Sequence, residues 1–286
     1  MNLGFAEKLL FNTVRIEATD DANNTVTGTS FLFEFSFDGK TVPCLVTNKH
    51  VVESTVTGTI YFHTIKDEKP DYGNKYQCII HDFENQWLFH PHEDVDLCIM
   101  FLAQIKLDCI KKGVDLLQIY MDEKSIISAE NLEVIDAIDD IIMVGYPNGI
   151  WDDYNNLPIC RRGITATHPN IDYQNRKEFM IDAACFPGSS GSPVFYYKPG
   201  STIRLKHDEM PRRGNILALM GVLYAGPQHF IDGEVVIRDV PTKKVPYVEA
   251  GIPNNLGVVI KAARILDFKP LIAQILSPQG LQRDSA

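Results

Sequence analysis

The chain has 286 residues, of which 45% are hydrophobic, and its formal net charge is −10. This length and apolar content can bury a sizeable core, either as one large unit or as two closely packed halves. The negative charge disfavours nucleic acid and anionic membranes as partners. No apolar run reaches the roughly 18 residues of a transmembrane helix, and residues 1–10 lack the features of a secretory signal. We therefore expect a cytoplasmic protein that does not bind membranes.

Six short strands are predicted in the first part of the chain, after a short amphipathic helix in residues 1 to about 10. They are rich in Val, Ile, Phe and Thr and are separated by Asp, Asn, Gly and Pro turns. The predicted strands are Thr13–Glu17, Val26–Phe37, Val42–Thr47, Val56–Phe62, Tyr76–Asp82 and Leu97–Leu102. Their number and spacing predict a small antiparallel barrel or sandwich. Residues 111–136 are more charged and less regular, which is typical of a connector.

A second series of strands follows the connector. The predicted strands are Ile141–Gly145, Arg162–Thr167, Glu178–Ala184, Pro193–Tyr197, Ile216–Tyr224 and Asn255–Ile260. Apolar residues at helical spacing in Lys261–Leu276 then predict a C-terminal helix. Two long segments, 198–215 and 226–254, interrupt the strands, and long loops in a compact β domain are usually functional or mobile. The pattern is therefore all-β, with two halves.

The six cysteines are widely spaced and include no C-x-x-C pair. They are Cys44, Cys78, Cys98, Cys109, Cys160 and Cys185. Most lie in apolar strand-like runs, where a free thiol behaves as a small hydrophobe, so we expect reduced core cysteines. His90 and His92 flank Pro91, but no third ligand follows at a useful spacing. We expect neither a metal nor another cofactor.

The stretch Asp182–Pro193 runs out of one predicted strand, through a tight turn of Gly, Ser and Pro, and into the next strand. Glycines on both sides of Ser190 allow a substrate backbone to come close and allow consecutive N–H groups to point inward. Such a turn can present Ser190 as a nucleophile, with the N–H groups of Gly188 and Ser190 as an oxyanion hole. Turns of this composition are common, so this signal needs support elsewhere in the chain.

A serine nucleophile needs a base, usually a histidine that a carboxylate holds in one tautomer. His50 stands where an apolar strand ends, anchored on a rigid element with its ring free to face a cleft. Asp94 and Asp96 are the two candidate carboxylates. We favour Asp96, because it immediately precedes an apolar strand and can be partly buried, whereas Asp94 lies among charges. A surface role is expected for the histidines in polar or turn contexts: His63, His81, His168, His207 and His229.

Three motifs in this order resemble the signatures of trypsin-like (chymotrypsin-fold) serine peptidases. They are Val46-Thr-Asn-Lys-His50-Val, Asp96-Leu-Cys-Ile-Met100 and Gly188-Ser-Ser190-Gly-Ser-Pro. Within that family the chain is most similar to HtrA-type peptidase domains, over most of residues 12–265 and without a PDZ domain. Further similar segments are Gly28-Thr-Ser-Phe31, Val144-Gly-Tyr-Pro147, Gly163-Ile-Thr-Ala166, Asp182-Ala-Ala and Asn255-Leu-Gly-Val-Val-Ile260.

The resemblance implies two antiparallel six-stranded β-barrels with a C-terminal helix. Residues 1–110 would form an N-terminal barrel carrying His50 and Asp96, and residues 111–136 a connector. Residues 137–262 would form a second barrel carrying Ser190, and residues 263–286 the helix and tail.

The implied activity is that of a serine endopeptidase acting on a protein or peptide. His50 would take the proton of Ser190, Asp96 would steady the imidazolium, and the N–H groups of Gly188 and Ser190 would hold the oxyanion. Two alternatives remain open. One is a catalytically silent binding or scaffold module on the same fold, and the other is a latent peptidase that a partner protein activates.

Two departures from the family concern activation. Ser189 stands where zymogen-type members have an aspartate that pairs with a newly cut N-terminus, and the chain has no Ile-Val-Gly-Gly-like start. We therefore expect no activation by N-terminal clipping. HtrA-type enzymes order the serine loop through neighbouring loops or partners, so segments 198–215 and 226–254 are candidate regulatory elements.

The resemblance also places the substrate pocket. Ala184 would lie at its base, with Tyr224, Ala225 and Gly226 along the neighbouring strand. The absence of a carboxylate disfavours a Lys- or Arg-selective pocket, so we expect an apolar or small substrate side chain. A glutamyl preference would need a cationic or histidine group on the wall, which Leu223 does not supply.

Overall fold

The computed structural model describes residues 3–4, 6–128, 132, 135–203, 212–225, 228–231, 250–253 and 255–277. Its helices are α1 (Glu7–Asn12), α2 (Lys49–Val52), α3 (Ala103–Lys112) and α4 (Lys269–Leu276). The strands of the first half are β1 (Thr13–Thr19), β2 (Thr25–Phe37), β3 (Lys40–Thr47), β4 (Thr57–Lys66), β5 (Lys69–His81), β6 (Leu88–Phe89), β7 (Cys98–Phe101) and β8 (Met121–Asp122). Those of the second half are β9 (Asp140–Gly145), β10 (Ile159–Thr165), β11 (Glu178–Asp182), β12 (Pro193–Ile203), β13 (Arg212–Ala225), β14 (Gln228–Ile231), β15 (Ala250–Pro253) and β16 (Leu256–Lys261).

The first half is an eight-stranded sheet in the order β5-β4-β1-β2-β3-β7-β6, with β8 beside β2. All six strands predicted there are present. The two additional strands have two residues each, which is too short for a periodic pattern to reveal, and β8 lies inside the predicted connector 111–136. Within the described residues no ladder joins β5 to β6, and β8 pairs in parallel with β2. The described first half thus has eight strands where six are predicted, the two short ones included, and its ladders form an open path.

The second half is a closed six-stranded barrel in the order β10-β11-β16-β13-β12-β9, as predicted. The predicted C-terminal helix is also present, but it has two parts. Residues Ala262–Phe268 form a 3₁₀ helix, and α4 follows with Pro270 in its first turn. Proline fits the start of an α-helix but not its interior, so the continuous helix expected from Lys261 divides there.

Three apolar clusters hold these elements together. One fills the first half, one fills the second barrel, and the third joins the two halves to the C-terminal helix. On β2, Phe31 and Phe33 face the joining cluster whereas Leu32 faces the interior of the first half. The run Phe-Leu-Phe therefore buries both faces of its strand. Since Phe195 and Val222 of the second half belong to the same joining cluster, the interface between the halves is itself an apolar core.

Other sequence expectations have mixed outcomes. The helix α3 was not predicted; it ends at Gly113, whose φ of +66° gives the left-handed conformation common at helix ends. Strands β14 and β15 form an antiparallel pair inside the long segment 226–254, and the residues between them, 232–249, lie outside the described ones. All six cysteines are free thiols, and only Cys160 is exposed. None of the helices in the described ranges is long and apolar enough to cross a membrane.

Candidate active site

His50 and Asp96 are brought together by the pairing of two antiparallel strands. The last residue of β3, Thr47, pairs with the first residue of β7, Cys98. His50 follows β3 on the short helix α2, and Asp96 lies two residues before β7. Two residues 46 positions apart in the sequence therefore meet at one edge of the sheet.

The Asp96 carboxylate is hydrogen-bonded to both the ring and the backbone N–H of His50. Oδ2 of Asp96 lies 2.5 Å from Nδ1 of His50, and Oδ1 accepts the His50 backbone N–H at 3.1 Å. The Asn48 side chain donates to the backbone carbonyl of Asp96 at 2.7 Å and so anchors the main chain of that residue. Because a carboxylate only accepts, Nδ1 carries the hydrogen and Nε2 remains the basic nitrogen. The imidazole is 44% exposed and the carboxylate 21%, so the ring is open to a ligand while its partner is screened.

Asp94, the other candidate carboxylate, is exposed and pairs with neither histidine nor lysine among the described contacts. The sequence favours Asp96 over Asp94 because an apolar strand follows Asp96 directly. The contact of Asp96 with His50 agrees with that preference.

The turn that carries Ser190 has every carbonyl from residue 187 to residue 190 engaged. Pro187 O accepts from the N–H of Asn148 at 2.5 Å, and Ser189 O accepts from the N–H of Ser192 at 3.0 Å. The other two carbonyls bind a single residue of the first half. Gly188 O accepts from Oγ1 of Thr29 at 2.9 Å, and Ser190 O accepts from the Thr29 N–H at 2.9 Å.

These bonds determine where the N–H groups of the turn point. A trans peptide places its C=O and N–H on opposite sides, so fixing Pro187 O and Ser189 O also fixes the N–H groups of Gly188 and Ser190. The N–H of Ser189 donates to Phe186 O, and that of Gly191 donates to Leu223 O. Within the described part of the chain, the N–H groups of Gly188 and Ser190 have no acceptor. They are the two that the sequence predicted as an oxyanion hole.

Position 188 requires glycine in this arrangement. Its φ is +85°, which is unfavourable for a residue with a side chain. A Cβ at this position would lie 2.6 Å from the Tyr146 carbonyl and 3.1 Å from the Asn148 nitrogen. The shape of the turn is therefore encoded in this residue and in the Tyr146–Asn148 backbone that packs against it.

Thr29 also links the turn to the histidine-bearing element. Its carbonyl accepts from Oγ1 of Thr47 at 2.7 Å, and Thr47 lies three residues before His50. The link places the Ser190 turn beside the end of β3. No hydrogen bond joins Ser190 to His50 among the described contacts.

A family model described as "Trypsin-like peptidase domain" matches residues 28–203. The chain belongs to this family. The family resemblance drawn from the His50, Asp96 and Ser190 motifs is thereby confirmed. No curated protein matches the chain.

Several solved structures are similar to this trypsin-like domain. The active form of the Rv3671c protease from M. tuberculosis has 15% identity and a TM-score of 0.45, with 95% of this chain and 83% of that chain covered. The HtrA-type protease AlgW with a tripeptide has 15% identity and a TM-score of 0.49, with 96% and 64% covered. The serine endoprotease from Yersinia pestis has 12% identity and a TM-score of 0.46, with 96% and 68% covered.

Two of the four residues predicted to form the pocket of this trypsin-like domain can be described with their side chains. Ala184 is half-buried, and its carbonyl accepts from the guanidinium of Arg161. The Tyr224 hydroxyl donates to Glu178 at 3.0 Å, and burial together with this carboxylate raises the pKa of Tyr224 to about 12. The side chain of Ala225, and Gly226 altogether, lie outside the described residues.

Two residues near the site were missed by sequence reasoning. Arg161 contacts the predicted pocket base from β10. Because this strand mixes polar and apolar residues, its sequence does not indicate that the Arg161 side chain points inward. Thr29 contacts the serine turn from β2. Its segment, Gly28-Thr-Ser-Phe31, carries only a family resemblance, and nothing local indicates a contact 159 residues away.

The histidines expected at the surface divide into two groups. His81 is exposed and His168 is half-buried, whereas His63 is only 3% exposed, so the surface expectation was wrong for His63. His207 and the side chain of His229 lie outside the described residues. His90 is buried and binds the Arg264 carbonyl. Among the described residues no group of three or more His, Cys, Asp or Glu side chains has an arrangement suited to a metal ion.

Proposed function

We propose that the protein is a serine endopeptidase that cleaves protein or peptide substrates by acyl transfer. Ser190 attacks the substrate carbonyl while Nε2 of His50 accepts its proton. The carboxylate of Asp96 keeps the ring in that tautomer and stabilises the imidazolium that forms. His50 then passes the proton to the leaving amine, and water, activated in the same way, releases the acyl group from Ser190.

The observation that carries this proposal is the hydrogen bonding of the serine turn. The carbonyls of residues 187 to 190 are all engaged, and the N–H groups of Gly188 and Ser190 remain without an acceptor in the described structure. Two fixed donors beside a nucleophile suit the negative oxygen of a tetrahedral intermediate. A turn that served only as a connection would gain nothing from leaving two N–H groups unpaired.

The His50–Asp96 pair supports the same proposal. An exposed imidazole held at Nδ1 has its free nitrogen available to a hydroxyl that approaches from solvent or from a neighbouring loop. In a purely structural role the ring would be expected to bury both of its nitrogens, as His90 does nearby.

For activation, we propose that contacts within the chain build the serine turn. Ser189 is 1% exposed and stands where zymogen-type members have an aspartate. A newly cut N-terminus would therefore find no carboxylate to pair with at this position. Asn148, Thr29 and Ser192 hold the turn instead. The long segments 198–215 and 226–254 remain candidate regulatory elements. Residues 204–211, 226–227, 232–249 and 254 of these segments lie outside the described structure.

A fluorophosphonate probe tests the proposed activity. The wild type should be labelled and the Ser190→Ala variant should not, and the wild type alone should cleave protein substrates. Labelling that requires added cell extract would support a latent peptidase with an activating partner. If neither condition gives labelling or cleavage, the proposal fails, and a binding module on the same fold becomes the better description.

A further inference from the structure

The hydroxyl of Thr29, on a strand of the first half, forms hydrogen bonds with two backbone groups of the second half. Thr29 is fully buried. Its Oγ1 donates to Gly188 O at 2.9 Å and accepts the Tyr146 N–H at 3.0 Å. Because the hydroxyl uses its hydrogen and a lone pair on two fixed backbone groups, its orientation is determined.

We infer that Thr29 is a positioning residue for the oxyanion hole, an assignment that rests on the proposed peptidase function. The backbone N–H of Thr29 binds Ser190 O while its side chain binds Gly188 O. A single residue thus fixes the Gly188–Ser189 and Ser190–Gly191 peptide planes, which flank the Ser189–Ser190 plane that carries the Ser190 N–H. Gly188 has no Cβ to limit its own dihedral angles, so the turn depends on such outside contacts to hold its N–H groups in place.

The second contact of the hydroxyl extends this control to the neighbouring segment. Tyr146 is fully buried and its own hydroxyl donates to Thr13 O at 3.2 Å, which anchors it to the first half. Two residues further on, Asn148 donates its N–H to Pro187 O. Thr29 therefore sets the distance between the serine turn and the Tyr146–Asn148 backbone, and so places the Gly188 N–H.

Two substitutions separate the hydroxyl from the shape of the side chain. Thr29→Val keeps the volume but removes both hydrogen bonds, and Thr29→Ser keeps the hydroxyl. Since displacement of a reacting group by about 1 Å costs about 10²-fold in rate, we expect Thr29→Val to lower kcat about 10²-fold with KM nearly unchanged. Thr29→Ser should stay within a few-fold of wild type.

Thr165→Val is a matched control. Thr165 is also buried, and its hydroxyl donates to Ala137 O and accepts the Asp139 N–H, both at 2.9 Å. The same loss of a buried hydroxyl away from the turn should leave kcat unchanged. Equal losses of kcat in the two valine variants, or none in Thr29→Val, would overturn the inference.

Hydrogen–deuterium exchange tests the same inference without turnover. Amides of residues 186–192 should exchange faster in Thr29→Val than in wild type or Thr165→Val, and unchanged exchange would overturn the positioning role. If the wild type proves inert, the proposed function fails, and this exchange measurement still decides whether Thr29 orders the turn.

A second, independent observation concerns Arg161 and the substrate. On β10, Arg161 pairs with Met143, which is 2% exposed inside the second barrel, so both side chains point inward. The Arg161 guanidinium donates to Ala184 O and stacks on the Phe186 ring at 4.7 Å. Both of these residues belong to the segment that leads to Ser190, and Ala184 is the predicted pocket base.

The Arg161 guanidinium has a positive charge and hydrogen-bond donors that are not fully paired. Among the described residues no carboxylate pairs with Arg161, and its other N–H donors have no acceptor. Burial lowers its pKa because desolvation disfavours the charged form, yet an arginine stays protonated in proteins. An incoming carboxylate would restore the interactions that burial removes, in the two-point geometry that guanidinium groups favour.

We infer that the pocket prefers an acidic substrate side chain, in place of the apolar or small side chain expected from the predicted pocket residues. This inference also rests on the proposed peptidase function. Two peptides that differ only by Glu or Gln before the scissile bond test it. A charge-assisted hydrogen bond should favour Glu at least about 10-fold in kcat/KM. Arg161→Gln should abolish the preference, and Arg161→Lys should keep part of it.

The neighbouring Arg162 gives the matched control. Its side chain is 75% exposed and pairs with Asp140 at 2.8 Å, so Arg162→Gln should leave the Glu/Gln ratio unchanged. A wild-type ratio near one, or a ratio that survives Arg161→Gln, would overturn the preference. Anisotropy titration of both peptides against Ser190→Ala measures the ratio of their dissociation constants without turnover, so it decides the preference even if the wild type fails to react with the fluorophosphonate probe.

Discussion

His50 and Asp96 share two hydrogen bonds, one from the ring at 2.5 Å and one from the backbone N–H at 3.1 Å. The backbone bond matters as much as the ring bond, because it ties the carboxylate to the helix that carries the imidazole. The carboxylate cannot move away from the ring without also losing the N–H. The tautomer of His50 is therefore coupled to the local fold of α2.

Asp96→Asn tests this coupling. Asparagine has nearly the same shape, but its amide group can donate to Nδ1, which favours the tautomer with hydrogen on Nε2. That tautomer cannot accept the proton of Ser190. We expect kcat to fall about 10⁴-fold while the fold is retained, with fluorophosphonate labelling slowed in parallel. Steady-state kinetics and circular dichroism measure the two effects.

Asp94→Asn is the control for this substitution, because it removes the same charge two residues away at an exposed position. It should leave kcat within about two-fold of wild type, since exposed charges interact weakly. A comparable loss of kcat in Asp94→Asn, or little loss in Asp96→Asn, would contradict the assignment of the orienting role to Asp96.

Gly188→Ala should disable the oxyanion hole. The residue has a φ of +85°, and a Cβ would lie 2.6 Å from the Tyr146 carbonyl, so the turn must shift to accommodate it. Losing one oxyanion donor typically costs about 10²–10³-fold in kcat, and we expect a loss of that size. Kinetics and thermal unfolding should be measured together.

Gly39→Ala is the matched control for backbone strain. Gly39 has a similar φ of +79°, but nothing lies within 4 Å of its added Cβ. Both variants carry the cost of a side chain at positive φ, about 1 kcal/mol, but only Gly188→Ala should lose turnover. Similar kcat values in the two variants would mean that the turn does not hold the oxyanion.

The sequence predicts those parts of this protein that local patterns encode. The run Phe31–Phe35 signals a buried strand whatever its partners are, and the motifs around His50 and Ser190 indicate chemistry because their residue types are unusual together. The contact between Thr29 and Gly188 is different. It joins residues 159 positions apart in the chain, and a threonine in a strand is ordinary, so only the packing of the two halves reveals its role.

The burial of His63 cannot be predicted from the alternation of residue types, because its strand is irregular. Burial alternates along β4 up to Phe62, and then Phe62 and His63 are both buried. The register of β4 with β5 shifts between His63 and Ile65, which marks a bulge. Phe11 of α1 then covers the imidazole, with ring centroids 5.0 Å apart. Neither the bulge nor the covering helix can be read from the residues around His63.

Trp151→Ala should destabilise the contact between the two halves. The Trp151 ring lies 4.5 Å from both the Arg15 guanidinium carbon and the Lys75 ammonium, and 5.2 Å from the Tyr61 ring. Cation–π contacts are worth about 0.5–2 kcal/mol each, so we expect the free energy of unfolding to fall by about 2 kcal/mol. Urea denaturation measures this change.

Tyr154→Ala is the control for Trp151, because it removes an aromatic ring that is 76% exposed in the same segment. It should change the free energy of unfolding by less than about 0.5 kcal/mol. Equal effects in the two variants would show that the segment as a whole, rather than the cation-flanked indole, contributes the stability.

The buried His63 should make the stability depend on pH. Burial lowers its pKa from 6.5 to about 4, because desolvation disfavours the imidazolium. Between these values the unfolded chain binds a proton that the folded chain does not. The stability associated with neutral His63 is therefore present above about pH 6.5 and is lost as the pH falls towards 4, by up to about 3 kcal/mol.

His63→Phe removes this titration and should flatten the curve over that range. Because carboxylates also titrate there, the informative quantity is the difference in unfolding free energy between variant and wild type, measured by urea denaturation at several pH values. As the pH falls from about 6.5 to about 4, the unfolding free energy of His63→Phe should rise relative to that of the wild type. A constant difference for His63→Phe would mean that the buried imidazole accepts its proton without loss of stability, through water or a local opening of α1.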